Sequence, residues 1–165
     1  MSIYLLYEGK AIYNQTAYND LDIQVFRVKP FSKQGKGRIA NLYWWLLCKK
    51  TFLCVIRNAE TKEIMHYTYA MKKSYKFPFM GKSDYMIGPS VTLEKFRGKG
   101  LLGKGIAYMQ NQILTLDQDA KFIALIREEN TSSRKGIEKS GMSNTGKKYT
   151  KSSMKIYREV KERVE

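Results

Sequence analysis

The sequence has little cysteine, no long apolar run and few acidic residues, and each scarcity excludes a class of protein. Its two cysteines, Cys48 and Cys54, form neither a disulfide framework nor a zinc-binding pattern, which favours a reduced, cytoplasmic setting and predicts no metal site. No apolar run approaches the roughly 20 residues that span a bilayer, and residues 1–8 lack the basic start of a signal peptide. Without repeats or low-complexity tracts, the 165 residues predict one compact domain spanning 1–165.

Basic residues outnumber acidic ones, since 30 lysines and arginines face 15 aspartates and glutamates, for a formal net charge of +15. A field of this sign attracts polyanions, so nucleic acid, an anionic membrane surface and phosphate-bearing small molecules are all candidate partners. The basic residues are scattered along the chain and form no nucleic-acid-binding motif, so no specific nucleic-acid partner is expected. The charge predicts an anionic partner without saying which one.

The first half of the chain has the pattern of antiparallel strands. Strands are predicted at Asp22–Lys29, Phe52–Arg57 and Glu63–Met71, and the short polar segment between the last two suits a hairpin. Leu42–Leu47 is apolar without a clear period, so a strand and a buried helix cannot be separated there. Lys72–Asp84 is predicted to be a loop.

The second half alternates strands and helices. A strand over Tyr85–Leu93 is expected to break or splay at Gly88–Pro89, because proline removes a ladder donor. An amphipathic helix is predicted from about Leu101 to Leu116. The elements predicted after it are a wholly apolar strand at Phe122–Ile126, a helix from Asn130 to Gly141 and, beyond a basic turn, a strand near Ser153–Arg158. This order predicts a mixed α/β domain.

The most informative segment is a glycine-rich turn, Phe96–Gly105, between the predicted strand and the predicted helix. Glycine tolerates a positive φ and lets another group approach the backbone closely. A turn that opens a helix directs unpaired N–H groups at one spot, at the positive end of the helix dipole. Because Arg97, Lys99 and Lys104 lie beside it, the turn predicts a phosphate or pyrophosphate site. A flexible basic turn is the alternative.

Two spaced motifs in this half resemble the GNAT superfamily of acyl-CoA-dependent N-acyltransferases. The turn Arg97-Gly98-Lys99-Gly100-Leu101-Leu102 is similar to the family's Arg/Gln-x-x-Gly-x-Gly/Ala loop, with Leu102 where a small residue is usual. The residues that match a second family block, after the next strand, are Asn130, Ser133, Lys139, Gly141 and Met142. The resemblance implies a single GNAT-like domain with a central mixed, twisted sheet, flanked by helices and splayed at its central strands.

The resemblance also implies how acetyl-CoA, the co-substrate, is held. The residues that it assigns to the pyrophosphate are Arg97, Gly98, Lys99, Gly100, Leu101, Leu102 and Gly103. Val91, Thr92 and Leu93 would pair with the pantetheine arm as another strand would. A backbone N–H near Leu93 would stabilise the tetrahedral oxyanion, while Asn130 would bond the cofactor arm and Ser133 would lie near it.

Few residues are candidates for proton transfer. His66, the sole histidine, is predicted on a strand that lines the acceptor cleft, and its ordinary pKa of about 6.5 suits a general base. Glu63 and Asp84 are weaker candidates that would act through a water. Ile137 stands where the family often has a tyrosine that protonates the departing CoA thiolate. The thiolate could then leave unaided, or take its proton from water or from another hydroxyl, that of Tyr85, Tyr108 or Tyr149.

We therefore predict an N-acetyltransferase that moves acetyl from acetyl-CoA to a primary amine of a small molecule by direct attack. Ile87-Gly88-Pro89 and residues 134–139 also resemble GNAT proteins of surface-polysaccharide and amino-sugar synthesis. An amino sugar, whose nucleotide-linked form suits the positive field, is the expected acceptor. The alternatives are protein or peptide N-acetylation, a basic nucleic-acid-binding module, and a CoA-binding protein without catalytic activity. Monomer and homodimer both stay open.

Overall fold

The computed structural model describes residues 2–9 and 18–160. In this part of the chain one mixed sheet of eight strands has the order β2-β3-β4-β5-β6-β1-β7-β8. The strands are β1 (Ile3–Gly9), β2 (Leu21–Arg27), β3 (Cys48–Asn58), β4 (Ile64–Ser74), β5 (Asp84–Thr92), β6 (Lys121–Arg127), β7 (Met142–Lys151) and β8 (Tyr157–Glu159). The α-helices of the same part are α1 (Arg38–Leu47), α2 (Leu101–Leu116) and α3 (Thr131–Glu138). The predicted mixed α/β class is confirmed. The predicted span 1–165 also includes residues 1, 10–17 and 161–165, which lie outside the described residues.

Most elements predicted for the middle of the chain are confirmed. β3 and β4 form the expected hairpin, and α2 has the predicted limits. Leu42–Leu47, ambiguous from the sequence, belongs to helix α1. β4 continues to Ser74, so the loop predicted at Lys72–Asp84 begins later than expected.

Two strands that the sequence analysis missed complete the sheet. β1 lies between β6 and β7 and is antiparallel to both, although it comes first in the chain. β7 occupies Met142–Lys151, where a basic turn is predicted. Five consecutive residues of β7, from Ser143 to Lys147, are exposed. Because the alternation that marks a half-buried strand is absent there, the pattern could not indicate β7.

The sheet separates two helical layers. On one face α2 and α3 pack against the largest buried cluster, which contains Met109 of α2 and Phe122 of β6. On the other face Trp44 of α1 packs against a cluster that contains Tyr149 and Ile123. β6 therefore has covered side chains on both faces, as its wholly apolar sequence predicts.

The sheet opens between its two central strands. β5 and β6 pair in parallel only as far as Ile87 and Ala124. Beyond them Gly88 has a φ of +115° and is joined to Pro89 by a cis peptide, while β5 stays paired with β4 as far as Thr92. The predicted splay at Gly88–Pro89 is confirmed, and it leaves a gap beside the glycine-rich turn.

Candidate functional site

The glycine-rich turn lies directly after β5, where α2 begins. A 3₁₀ turn at Glu94–Phe96 leads into it, and Gly98 and Gly100 then have φ values of +80° and +69°. Residues with a side chain rarely adopt this left-handed conformation, which explains the two glycines. Gly100 is the N-cap of α2 and brings no side-chain hydrogen bond. The first-turn amides of the helix are therefore left for another acceptor.

The space above the turn is open and positively charged. A Cβ built at Gly98 or Gly100 would meet no atom within 4 Å, and the first turn of α2 contains no acidic residue. Among the described residues, the charged side chains that line the adjoining cleft are all cations, namely Arg97, Lys99, Lys135 and Lys139. Helix amides and cations around one open space are the combination that binds a phosphate group.

The cleft has a volume of about 660 Å³ and brings most of the predicted site residues together. Those that line it are His66, Val91, Thr92, Arg97, Gly98, Lys99, Gly100, Leu101, Leu102, Asn130 and Ser133. Leu93 and Gly103 do not line it. The lining residues to which the sequence analysis gave no site role are Ser90, Phe96, Ser132, Lys135, Gly136 and Lys139, although Phe96 and Lys139 belong to its two motifs. Helical spacing from Ser132, at three, four and seven residues, would have indicated the last three.

A smaller cavity of about 240 Å³ occupies the gap between β5 and β6. Ser90, Leu102, Asn130 and Ser133 border both this cavity and the cleft, so the two spaces adjoin. Ile137 of α3, 3% exposed, borders the smaller cavity with an aliphatic side chain. A molecule held at the turn can therefore extend into the gap in the sheet.

The backbone of β5 directs hydrogen-bonding groups toward this gap. The Leu93 amide donates to the Met65 carbonyl oxygen at 3.0 Å, so it faces β4 and is not free for the predicted oxyanion role. Successive amides of a strand point to opposite edges. The Ser90 and Thr92 amides consequently face away from β4, on the side from which β6 has separated.

His66 lies beneath the cleft and is fully buried. Its Nδ1 is 2.8 Å from the Thr92 hydroxyl, and burial lowers its pKa to about 4, so the ring is neutral near neutral pH. The Nε2 atom has no hydrogen-bond partner among the described residues. It faces Gly105 of α2, where a Cβ would come within 3.4 Å of it. The ring is therefore held between the sheet and α2.

Leu102 stands where the similar family loop usually has a small residue, and Gly136 on α3 leaves room for its side chain. A Cβ at Gly136 would come within 2.8 Å of the Leu102 Cδ2 atom, and a Cβ at Gly103 within 2.9 Å of the Gly136 carbonyl oxygen. α2 and α3 thus approach each other closely at two glycines. At the start of α3 the Asn130 side chain accepts a hydrogen bond from the Ser133 amide at 3.1 Å, which is a helix cap.

The other predicted proton-transfer residues border neither cavity. They are Glu63, Asp84, Tyr85, Tyr108 and Tyr149. The Tyr85 hydroxyl donates to Asp117 at 2.8 Å, beyond the last residue of α2. That bond lies at the opposite end of the helix from the glycine-rich turn, so Tyr85 is remote from the cleft.

Tyr4 and Arg127 border the smaller cavity, and the sequence analysis missed both. They are directly paired neighbours on β1 and β6, and the Arg127 guanidinium carbon lies 6.0 Å from the centre of the Tyr4 ring. Tyr4 belongs to the cluster on the α1 face, so this pair borders the gap on the side opposite α2. The unrecognised strand β1 is the reason that the pair was missed.

Three further observations concern thiols, metal ligands and membrane-spanning helices in the described part of the chain. Cys48 and Cys54 are free and buried, and burial raises the pKa of Cys54 to about 12, so this thiol is a packing residue. No group of three or more potential metal ligands occurs in residues 2–9 and 18–160. No helix within the same ranges has both the length and the apolar character needed to cross a membrane.

Comparison with known proteins connects this site to a fold. No protein-family model and no curated protein matches the sequence. A GNAT-family acetyltransferase from Colwellia psychrerythraea matches 88% of this chain and 53% of its own, with a TM-score of 0.56 and 14% identity. A tandem GNAT protein from the clavulanic acid biosynthesis pathway matches 87% of this chain and 50% of its own, with a TM-score of 0.61 and 8% identity.

A GCN5-related N-acetyltransferase-like protein from Streptococcus suis is similar over 86% of this chain and 57% of its own, with a TM-score of 0.55 and 16% identity. This chain thus spans about half the length of the solved structures that it matches. The shared feature at these identities is the fold. The chain has the GNAT fold, which confirms the fold that the resemblance in its sequence implies.

Proposed function

We propose that this chain, built on the GNAT fold, transfers an acetyl group from acetyl-CoA to a primary amine of a small molecule. The observation that carries the proposal is the cleft at the start of α2, where helix amides, open positive-φ glycines and cations surround one space. That space adjoins the gap between β5 and β6. A donor held at the turn would present its acyl group in the gap, and the amine would attack it there directly.

The phosphates of acetyl-CoA would be held at the turn. The amides from Gly98 to Gly103 would take the pyrophosphate at the positive end of α2, with Arg97 and Lys99 beside them. Lys135 and Lys139 of α3 line the same cleft and would neutralise further negative charge. Lining the cleft with cations alone suits a donor that carries several phosphate charges.

The pantetheine arm would lie along β5, in the place that a paired strand would take. Val91 and Thr92 line that wall of the cleft, and Asn130 and Ser133 line the other. Because the Leu93 amide is bonded to β4, we assign the oxyanion role to the preceding amide, that of Thr92. An amide fixed in the sheet and aimed at the gap needs no reorganisation during the reaction.

His66 is proposed to position Thr92 and not to take the proton of the amine. A ring whose pKa is about 4 is neutral but gains a proton poorly near neutral pH. His66→Gln is expected to lower kcat while the pH dependence of the rate keeps its shape. If the wild type instead shows an ionisation at about pH 6.5 that the variant lacks, His66 is the general base.

The acceptor would approach from the α1 face of the sheet, where Tyr4 and Arg127 border the gap. The Arg127 side chain is 58% exposed there, and its guanidinium is 3.9 Å from Glu129. A guanidinium binds phosphate and carboxylate groups through paired hydrogen bonds. An anionic acceptor, such as a nucleotide-linked amino sugar, fits this mouth.

A panel of amines tests this function through release of the CoA thiol. The wild type should release the CoA thiol faster with nucleotide-linked amino sugars than with the same sugars without phosphate. Arg127→Gln should reduce this ratio of rates about tenfold. Arg158→Gln, which removes a cation from β8 that borders neither cavity, is the matched control. Thiol release with peptides alone would replace the small-molecule proposal with peptide acetylation.

One observation favours a second candidate, a CoA-binding protein without catalysis. Ile137 borders the gap at the position where the family often has a tyrosine, and isoleucine gives no proton. Tyr4 is the tyrosine that borders the gap, and we propose it as the alternative proton source. Tyr4→Phe should lower kcat and leave acetyl-CoA affinity unchanged. Acetyl-CoA binding by the wild type without thiol release on any amine would support the second candidate.

The setting and extent of the protein are also proposals. Two free buried thiols fit a reducing compartment, and we propose the cytoplasm. We propose that residues 1–165 act as one domain, because one sheet connects the described elements from β1 to β8. Limited proteolysis that leaves the chain whole from residue 2 to residue 160 would support a single folded unit.

A further inference from the structure

Helix α1 presents apolar side chains to solvent. Ile39, Leu42, Tyr43 and Leu46 follow helical spacing at zero, three, four and seven residues, so they share one stripe. Ile39 is 87% exposed and Leu46 is 64% exposed. The only described residue of α1 that is buried is polar, Asn41. Trp44 packs toward the sheet, but much of the apolar surface of the helix is left uncovered by the described part of the chain.

Neighbouring apolar side chains extend this stripe. We call the side chains of Phe31, Ile39, Trp45, Leu46 and Leu47 the α1 surface, and all five are exposed. They make up five of the eleven large hydrophobic residues that are exposed in the described part of the chain. Such a concentration on one element marks an interaction site, whereas single exposed apolar residues are ordinary.

The α1 surface is held rigidly. The Asn41 side-chain amide donates to the carbonyl oxygens of Ser32 and Gln34, each at 2.8 Å. Its oxygen accepts from the Tyr69 hydroxyl at 2.9 Å, and that hydroxyl accepts from the Lys36 amide at 2.9 Å. The loop that carries Phe31 and the helix are thereby tied to β4. The apolar side chains therefore stand on a fixed platform, which lowers the cost of ordering them on a partner.

The sequence segments that carry and flank the α1 surface are cationic and contain no acidic residue. From Ile23 to Ala59 the sequence has eight lysines and arginines and no aspartate or glutamate, and Ile64–Ser83 has four lysines and no acid. The exposed cations flanking the surface in sequence are Lys29, Lys33, Lys36 and Arg38. The Lys76 ammonium lies 4.9 Å from the Tyr43 ring and 5.0 Å from the Trp44 ring. A partner that covers this surface must be both apolar and anionic.

We propose that the α1 surface docks the protein on an anionic lipid bilayer. A bilayer accepts protruding leucine, isoleucine and tryptophan side chains below its headgroups while anionic headgroups pair with flanking cations. A second copy of this chain would bring two acid-free cationic segments together, and like charges oppose that contact. The short helix would lie in the plane of the membrane.

Sedimentation of the full-length chain with vesicles tests the proposal. The protein should bind vesicles of phosphatidylglycerol, release them as salt is raised, and leave phosphatidylcholine vesicles unbound. The double variant Ile39→Ser/Leu46→Ser should weaken binding at least about tenfold, since it removes two insertable aliphatic groups. Lys36→Gln should weaken it about fivefold.

The matched control is Tyr108→Ser/Leu116→Ser, which removes two exposed side chains of α2, on the opposite face of the sheet from α1. It should bind vesicles as the wild type does, and both double variants should keep the wild-type circular dichroism spectrum. In a Trp44→Phe background, Trp45 emission should shift to the blue on phosphatidylglycerol vesicles alone.

Three outcomes would overturn the proposal. The first is no binding to phosphatidylglycerol vesicles at low salt. The second is vesicle binding by Ile39→Ser/Leu46→Ser that equals the wild type. The third is a dimer in light scattering that this variant abolishes, because the α1 surface would then bind a second copy.

Discussion

Helices α1 and α2 flank the same sheet and use their apolar residues in opposite ways. α2 buries Leu101, Met109 and Ile113 in the core that it forms with the sheet. α1 buries one polar residue, Asn41, and leaves Leu46 64% exposed. An apolar helical stripe therefore indicates a surface that needs covering, and the described part of the chain, residues 2–9 and 18–160, covers it only for α2. The stripe on α2 explains stability, while the stripe on α1 suggests a partner.

The largest expected difference between the two helices is in the free energy of unfolding that is lost when an apolar side chain is shortened. Met109→Ala should lower the free energy of unfolding by about 2 to 5 kcal/mol, because Met109 is fully buried and its removal leaves a cavity. Leu46→Ala should change it by less than about 0.5 kcal/mol. Chemical denaturation of both variants measures the contrast. Equal losses would mean that the α1 stripe is covered within the protein itself.

His66, buried under α2, should make the free energy of unfolding depend on pH. Its pKa is about 4 in the folded protein and 6.5 as the ordinary value. The unfolded chain therefore binds the extra proton between these values, so stability present above pH 6.5 is lost as the pH falls toward 4. The loss should reach about 3 kcal/mol. In urea titrations over the same pH range, the free energy of unfolding of His66→Gln should fall by about 3 kcal/mol less than that of the wild type. If both proteins lose the same free energy of unfolding as the pH falls, the assignment to His66 is wrong.

Charge placed at the start of α2 should act on the donor. Gly100→Glu should weaken acetyl-CoA binding about a hundredfold, because a carboxylate would face the phosphates. Gly146→Glu is the matched control, since Gly146 also has a positive φ of +79° and open space around it but lies in β7, outside the cleft. Both should lose about 1 to 2 kcal/mol of stability. Equal acetyl-CoA affinities in calorimetry would refute the phosphate site.

The smallest expected effect is a difference in stability between alanine variants of two glycines of α2. Both substitutions raise the helix propensity by the same amount. Gly103→Ala would bring its Cβ within 2.9 Å of a backbone oxygen of α3, whereas Gly105→Ala would meet side-chain atoms at 3.2 Å. Side chains can give way and the carbonyl cannot, so Gly103→Ala should be the less stable by about 1 kcal/mol. Thermal denaturation resolves this difference, and the reverse order would mean that α3 shifts freely on α2.

The predictable parts of the molecule were those in which local pattern and tertiary role agree. The glycine-rich turn, the limits of α2 and the splay at Gly88–Pro89 follow from rules about φ, helix spacing and missing ladder donors. β1 and β7 were missed because they are stabilised as strands by pairing with segments that are distant in the chain. Tyr4, Ser90 and Arg127 were missed with them, since a residue beside a gap has no local signature.

The sequence by itself determined the class of fold and the position of the glycine-rich turn at the start of α2, because glycine conformation, helix dipoles and apolar spacing act over a few residues. Only the tertiary structure decided which groups face the site. It bonds the Leu93 amide to Met65 and buries His66 under α2. It also leaves the apolar stripe of α1 exposed. These outcomes depend on register and layer packing, which bring together residues that the sequence holds far apart.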